Sequence, residues 1–384
     1  MTANQRQTDQ EHIRAALALA RRGLGQVWPN PAVGSIIVRD GNIVGRGWTQ
    51  PGGRPHAETE ALRAAGPLSK GATAYVTLEP CSHHGQTPPC TQALIAASVA
   101  RVVTAVEDPD ERVAGQGHAQ LRQAGIQVDV GPGERAARRL NEGYFLNRQA
   151  QRPLVTLKIA STLDGRIALH NGQSQWITGP AARARGHMLR ATHDAILVGS
   201  GTALADDPSL TCRLAGLEAR SPVRVVLDTA LRLPVDGQLA RSARQGPVWV
   251  VTGENPDAPR HDALSALGVE VLGVETDGVG RPDLRAVLKL LADRGITRLL
   301  VEGGGVVLSA FLRAGFADRL VWFRAASAIG GDGVPAMASM GIDDMARLAR
   351  FEREDVVSVG GDVMEVYRRP DGDGDADGGY GSVE

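Results

Sequence analysis

His56, Glu58, Cys81 and Cys90 are the residues whose types and spacing carry the most chemistry in this sequence. Zinc is bound by neutral imidazole and by thiolate, and a catalytic zinc takes three protein ligands and keeps its fourth position for water. His56, Cys81 and Cys90 supply three ligands of the right kind. Glu58 is not needed as a ligand and is free to move protons between a metal-bound hydroxide and a substrate. A structural zinc is the competing reading, with His83 or His84 as fourth ligand. That reading leaves Glu58 without a purpose.

An H-x-E followed by P-C-x-x-C is the signature of the zinc-dependent nucleobase deaminases. Here the Glu79-Pro80-Cys81 prefix is intact, but eight residues rather than two separate the cysteines. The elements that must position these groups can be read from the pattern. An amphipathic helix is expected over 12–25, then strands over 35–38 and 42–47 joined at the Asp40-Gly41 turn. The loop over 49–55 delivers His56 to a helix over 57–65, at whose first turn His56 and Glu58 can share one cavity. A strand over 72–78 leads to Cys81, and Cys90 opens a helix over 91–98, whose N-terminal N–H groups favour a thiolate. A strand over 101–106 ends in a loop carrying Asp108, which with Cys81 falls at carboxyl strand ends, where open α/β sheets bind ligands. A helix over 117–124, a strand over 126–130 and a helix over 134–147 complete a first domain, assigned to 1–150. Asn30, held between Pro29 and Pro31, is either a turn residue or an aimed amide.

A second domain is assigned to 151–368, with a linker over 149–153 and a tail over 369–384 too poor in apolar residues to fold. Strands are expected over 154–160, 195–199, 223–227, 248–252, 269–274 and 298–301, with helices over 181–191, 262–267, 282–294 and 306–313. The last strand runs through Glu302-Gly303-Gly304-Gly305 into a helix, which is either a phosphate cradle or a plain glycine turn. It is not the dinucleotide fingerprint.

Composition narrows the field. The chain has 384 residues, 42% of them hydrophobic, and a formal net charge of −1, which argues against a broad basic grip on nucleic acid. Only Lys70, Lys158 and Lys289 are lysines among 42 basic residues, so a lysine at a site stands out. Cys212 has no partner once the metal takes the other two cysteines, which suits a reducing cytosol. The N-terminus is too polar for a secretory signal, and no stretch reaches the roughly 20 apolar residues of a membrane span. The expectation is a cytoplasmic protein.

In order along the chain, PNPAVG, HAE, TLEPCSHHGQTPPC, KIASTLDGR, SQWIT, LADDP and VEGGG resemble the bifunctional RibD family of riboflavin biosynthesis, over roughly residues 10–368. The resemblance implies a cytidine deaminase-like three-layer α/β/α domain followed by a dihydrofolate reductase-like α/β domain. It implies one zinc on His56, Cys81 and Cys90, NADPH in the second domain, and a pyrimidine nucleotide as substrate. The first domain would remove the 2-amino group of 2,5-diamino-6-(5-phosphoribosylamino)pyrimidin-4-one as ammonia, with Glu58 catalytic. The second would reduce the ribosyl group of the resulting uracil to a ribityl chain. Carried over residue by residue, Asn30, His83 and Asp108 hold the deaminase substrate. Nucleotide contacts fall on Ala160, Trp176, Thr202, Asp206, Thr229 and the run Gly304, Gly305, Val306, Val307, Leu308, Ser309 and Ala310. Reductase substrate contacts fall on Lys158, Ser174, Arg190, Leu210, Arg213 and Glu302.

The sequence departs from many relatives at Thr49 (commonly His), Gln86 (Lys or Arg) and Asp110 (Asn). The metal site is untouched, so deamination is expected to be retained without those three as contacts. A tRNA adenosine deaminase is opposed by the eight-residue gap and the near-zero charge. Two rival readings are a nucleotide-binding protein with structural zinc and a reductase with an inactive deaminase. Members of the family are usually oligomeric, so a homo-oligomer without nucleic-acid or membrane partners is expected.

Overall fold

Neighbouring apolar residues on a strand face opposite ways, so a strand apolar throughout needs cover on both sides. In the first unit, Ile36 joins a core with Ile13, Leu17, Tyr75 and Phe145, while Ile37 joins the opposite core with Ala61, Leu94, Val102 and Leu121. Strands β1 (Gly34–Arg39), β2 (Asn42–Trp48), β3 (Thr73–Val76), β4 (Arg101–Thr104) and β5 (Gln127–Val130) form one sheet in the order β2-β1-β3-β4-β5. β1 is antiparallel to β2 and β3, and β3, β4 and β5 run parallel. The helices Ala57–Ala65, Cys90–Ala96 and Gln116–Gln123 contribute to the core on the Ile37 face, and Ala3–Ala20, Glu134–Leu140 and Glu142–Ala150 to the other. This is the expected three-layer α/β/α arrangement.

The computed structural model describes residues 3–83, 85, 88–111 and 113–370, and the chain divides into units Met1–Arg152 and Pro153–Glu384. His84, Gln86 and residues 371–384 of the tail expected over 369–384 lie outside the described residues, while Arg369 at its start donates its N–H to the Asp318 carbonyl at 2.9 Å. The single helix expected over 134–147 is two helices broken at Asn141. The buried Asn141 amide accepts from the Ala32 N–H at 2.9 Å and donates to the Ala32 carbonyl at 3.0 Å. That pair of bonds fixes the loop leading from Asn30 into β1.

In the second unit, β6 (Leu154–Ser161), β7 (Arg166–Ala168), β8 (Ala195–Gly199), β9 (Val223–Leu227), β10 (Val248–Gly253), β11 (Glu270–Val274), β12 (Arg298–Val301), β13 (Arg319–Arg324), β14 (Val334–Pro335), β15 (Glu352–Val359) and β16 (Asp362–Arg368) follow in turn. Nine of them form a sheet in the order β11-β10-β9-β8-β12-β6-β13-β16-β15, and β7 pairs with β14. The strands from β11 to β13 are parallel, and β16 and β15 add antiparallel. Their buried faces read as runs of Val, Ile and Leu, as parallel strands covered on both faces do. β7, β13, β14, β15 and β16 have no counterpart among the strands expected from the sequence. β15 is exposed along most of its length, so it lacks the apolar alternation that marks a strand. The polar run after β8 is also a helix, Ser200–Asp206. Among the described residues no helix is long and apolar enough to cross a membrane.

Candidate active sites

His56 caps the helix Ala57–Ala65 in extended conformation and puts Glu58 in its first turn. The helix lies flush on β2 because Gly45 and Gly47 carry no side chains: a Cβ at either would stand 2.2 Å from the Ala61 or Ala57 carbonyl oxygen. Cys81 follows the carboxyl end of β3, and Cys90 is the first residue of the helix Cys90–Ala96. His56 Nδ1 lies 3.6 Å from Cys81 Sγ and 3.3 Å from Cys90 Sγ. Ordinary zinc bond lengths in tetrahedral geometry separate a nitrogen and a sulfur ligand by about 3.6 Å. The triad therefore already stands at zinc-binding spacing. His83 is exposed and outside the cluster, so among the described residues the three ligands have no fourth.

The electrostatics differ in one respect from what the sequence suggests. The first N–H of the helix Cys90–Ala96 points at Cys81 Sγ, 3.3 Å away, not at the sulfur of its own residue. Hydrogen bonding from the Cys90 thiol, together with that N–H and His56, holds Cys81 down at about 4. The bond to Cys81 and burial push Cys90 well up. Glu58 is buried and hydrogen-bonded with Cys90, and burial pushes its carboxyl up to about 7 against the pull of His56.

Two loops flank this cluster. The segment before His56 is tied to the 26–30 loop by the Gly52 N–H donating to the Gln26 carbonyl at 2.8 Å. Gly53, at φ 83°, lies under the Asn30 amide, and a Cβ there would stand 1.9 Å from Asn30 Nδ2. The second loop follows β4 and is organised by Glu79. Its buried carboxylate accepts from the backbone N–H of Asp108 (3.3 Å), Gly115 (2.9 Å) and His118 (3.1 Å). Asp108 is buried, accepts from Tyr144 Oη at 3.1 Å and from the Asp110 N–H at 2.9 Å, and is pushed up to about 6 by burial. Asp110 faces the Arg148 guanidinium at 3.8 Å, and that guanidinium lies over the Tyr144 ring. Thr49 spends its hydroxyl on the backbone of Pro31 and Val33. Sequence reasoning missed Glu79, Asn141 and Tyr144 as organisers. Glu79 alone left a signal there, as the first residue of the Glu79-Pro80-Cys81 prefix.

In the second unit the residues gather at the carboxyl ends of the central strands. Glu302, just past β12, accepts from Arg190 Nε and Nη2 at 2.9 Å each, and Lys158 of β6 stands 3.6 Å from it. Burial pushes this carboxyl up, but Arg190 and Lys158 outweigh it and hold it at about 2. Arg190 also donates to the Thr211 carbonyl at 3.0 Å, and Arg213 Nη1 donates to Ser209 Oγ at 2.6 Å. Leu210 between them is buried at φ 55°. Helices begin beyond the adjacent strands β8 and β12, at Ser200 and Gly305, and Thr202 Oγ1 accepts the Gly304 N–H at 3.2 Å. Two helix N-termini side by side suit the phosphates of a dinucleotide. Leu308 and Ser309 are buried, so the open part of the run 304–310 is its first turn. Thr229 follows β9 and is exposed, as is Asp206 at the end of its helix. Ala160 lies on β6, Ser174 is half-buried in the loop before the helix Pro180–Ala191, and the exposed Trp176 is stacked by Arg183 at 4.5 Å. Among the described residues no hydrogen bond or ion pair joins Ser174 or Trp176 to the Glu302 cluster. His187, half-buried on the same helix as Arg190, accepts the Arg213 N–H at 3.3 Å on Nδ1 and went unremarked in the sequence.

Known proteins resemble both units. The family described as cytidine and deoxycytidylate deaminase zinc-binding region matches residues 6–106, and the family described as RibD C-terminal domain matches residues 153–364. The riboflavin biosynthesis protein RibD of Bacillus amyloliquefaciens is 41% identical over 96% of this chain and 98% of its own. That of Escherichia coli is 40% identical over 92% and 98%. Among solved structures, Acinetobacter baumannii RibD superposes with a TM-score of 0.86 at 37% identity, over 95% of this chain and 99% of its own. A Thermotoga maritima diaminohydroxyphosphoribosylaminopyrimidine deaminase/5-amino-6-(5-phosphoribosylamino)uracil reductase superposes with a TM-score of 0.83 at 36% identity, over 95% and 100%.

Proposed function

The chain belongs to the RibD family of riboflavin biosynthesis, and from that premise we propose how its own residues divide the work of a bifunctional deaminase and reductase. The substrate reading is the diamino-pyrimidinone phosphoribosyl nucleotide, deaminated with release of ammonia and then reduced at the ribosyl carbon. The observation that carries it is the pairing of a three-ligand His56–Cys81–Cys90 cluster with a buried Glu58 in hydrogen-bond contact with it.

His56, Cys81 and Cys90 would hold zinc, which when bound supplies a hydroxide nucleophile near neutral pH. Glu58 both accepts and gives protons near pH 7, because burial has brought its carboxyl there. It protonates the pyrimidine ring nitrogen and then the departing amine. Asn30 and Asp108, on the loops that flank the cluster, orient the pyrimidine, and His83 is exposed between the two cysteines. The departure at Asp110 places no bare charge at the site, since Arg148 faces it. The departure at Thr49 is a structural use of the hydroxyl. Both support a working deaminase.

NADPH would lie against the helix starts at Ser200 and Gly304–Gly305 and supply a hydride. Lys158 and the ionised Glu302 then position the ribosyl group. Three of the five N–H donors of Arg190 are committed to Glu302 and Thr211. That leaves Arg213 as the better fork for the substrate phosphate. A homo-oligomer working in the cytoplasm belongs to the same reading and rests on the family.

The test is NADPH absorbance after the diamino-pyrimidine nucleotide is added to zinc-loaded protein. Loss of absorbance with ammonia release is the expected result. Ammonia without NADPH loss would refute the reductase reading. NADPH loss only when the deaminated intermediate is supplied would refute the deaminase reading.

A further inference from the structure

We propose that His187 is a positioning residue of the reductase site, holding Arg213 in place to receive the substrate phosphate, and that it does so only as the neutral imidazole. The proposal deepens the reductase reading above and rests on it. His187 stands one turn before Arg190 on the helix Pro180–Ala191, so the two project from one face. Each takes hold of the loop over 209–213. Arg190 donates to the Thr211 carbonyl at 3.0 Å, and the Arg213 backbone N–H donates to His187 Nδ1 at 3.3 Å. That loop contains Leu210 in left-handed backbone, φ 55°, a conformation L-residues avoid, so it needs anchors from outside itself. The Arg213 side chain folds back only as far as Ser209 Oγ, at 2.6 Å, which leaves most of its fork open.

Nδ1 can accept an N–H only when it carries no proton. The charged and titratable groups around the ring are Arg190 on its own helix, Arg213 on the loop and Glu302 beyond β12. Lys158 of β6 reaches the same carboxylate, and Cys212 lies beside Arg190. Burial, Arg190 and Arg213 favour the neutral ring and prevail over Glu302 and the Thr211 carbonyl, which favour the cation. Acidification would turn the acceptor into a donor facing the Arg213 N–H, and add a third cation beside the two arginines. The Arg213 N–H would lose its acceptor while the ring's contact with the Thr211 carbonyl persists, and Arg213 would be less well placed.

The experiment measures the KM of the deaminated substrate, the KM of NADPH and kcat for wild type, H187A and H187N, from about pH 5 to pH 8. Asparagine can present its Oδ1 as an acceptor near the Nδ1 position but does not titrate. We expect H187A to raise the substrate KM about three- to tenfold at neutral pH, as the loss of one hydrogen bond allows. The NADPH KM and kcat should stay near wild type. H187N should restore the substrate KM. The substrate phosphate itself titrates at a pKa of about 6 in every variant, so the diagnostic signal is an acid rise in KM present in wild type beyond that of H187N. A wild-type KM in H187A, or an equal acid rise in wild type and H187N, would overturn the proposal. If H187A does not fold, the pH comparison of wild type with H187N decides alone. Failure of wild type to oxidise NADPH with the deaminated substrate would overturn the reductase reading and this proposal together.

Discussion

Glu58 is buried and Glu302 largely so, yet their environments drive the two carboxyls in opposite directions. Burial dominates at Glu58 and brings it to about 7, where a proton can move either way. Cations dominate at Glu302 and hold it ionised at about 2. Glu58→Gln should retain one zinc per chain by metal analysis while ammonia release falls roughly 100- to 10,000-fold, the range of a lost general acid–base. Undiminished release would remove Glu58 from the chemistry. For Glu302 the folded value lies below the ordinary 4.5, so its ionised form stabilises the fold above that value and the contribution disappears as pH falls from 4.5 toward 2. Glu302→Gln should therefore cost on the order of 3 kcal/mol near neutrality. Denaturant unfolding of the two proteins should converge as the solution is acidified. The His56, Cys81 and Cys90 cluster was legible from residue type and the intact H-x-E and Glu-Pro-Cys segments, although the gap between the cysteines departs from the common spacing. Asn141, Tyr144 and His187 were not, because each acts through a partner distant in sequence: Ala32, Asp108 and Arg213.

At the scale of elements, the deaminase centre depends on how closely one helix approaches one strand. Gly45 and Gly47 let Ala57–Ala65 seat on β2, and that seating sets where His56 and Glu58 stand. Gly47→Val should lower stability by about 1–3 kcal/mol or more through overpacking. It should also lower zinc stoichiometry in metal analysis while the reductase rate with the deaminated intermediate stays intact. Full zinc occupancy in that variant would show that the helix position is not limiting. Strand and helix periodicity made most of these elements readable, often to within a residue or two, as for Ala57–Ala65 and Ala195–Gly199. Periodicity did not reach β15, whose residues are nearly all exposed and whose place is set by pairing with β16. Nor did it reach the break at Asn141, where a side chain bonds to a distant backbone instead of continuing the helix.

For the whole molecule, separate cores and separate sites on separate stretches of chain imply activities that can be lost one at a time. Chelation should abolish ammonia release and leave NADPH oxidation with the deaminated intermediate unchanged, with zinc restoring the first. Loss of both activities on chelation would mean that the metal supports more than the first unit.

The sheet order of the second unit also has a consequence for how the protein is born. β12 lies between β8 and β6, the two strands of that sheet that leave the ribosome first. The central slot of the sheet stays open until residue 301 has emerged, and β13 and β16 come later still. Such long-range pairing is slow and late, whereas the first unit is contiguous and ends at Arg152. A ribosome stalled after residue 297 should carry a nascent chain whose first unit resists protease and whose second does not. The enzyme that removes the amino group would then exist before the one that reduces its product, so synthesis would run in the same order as the reaction.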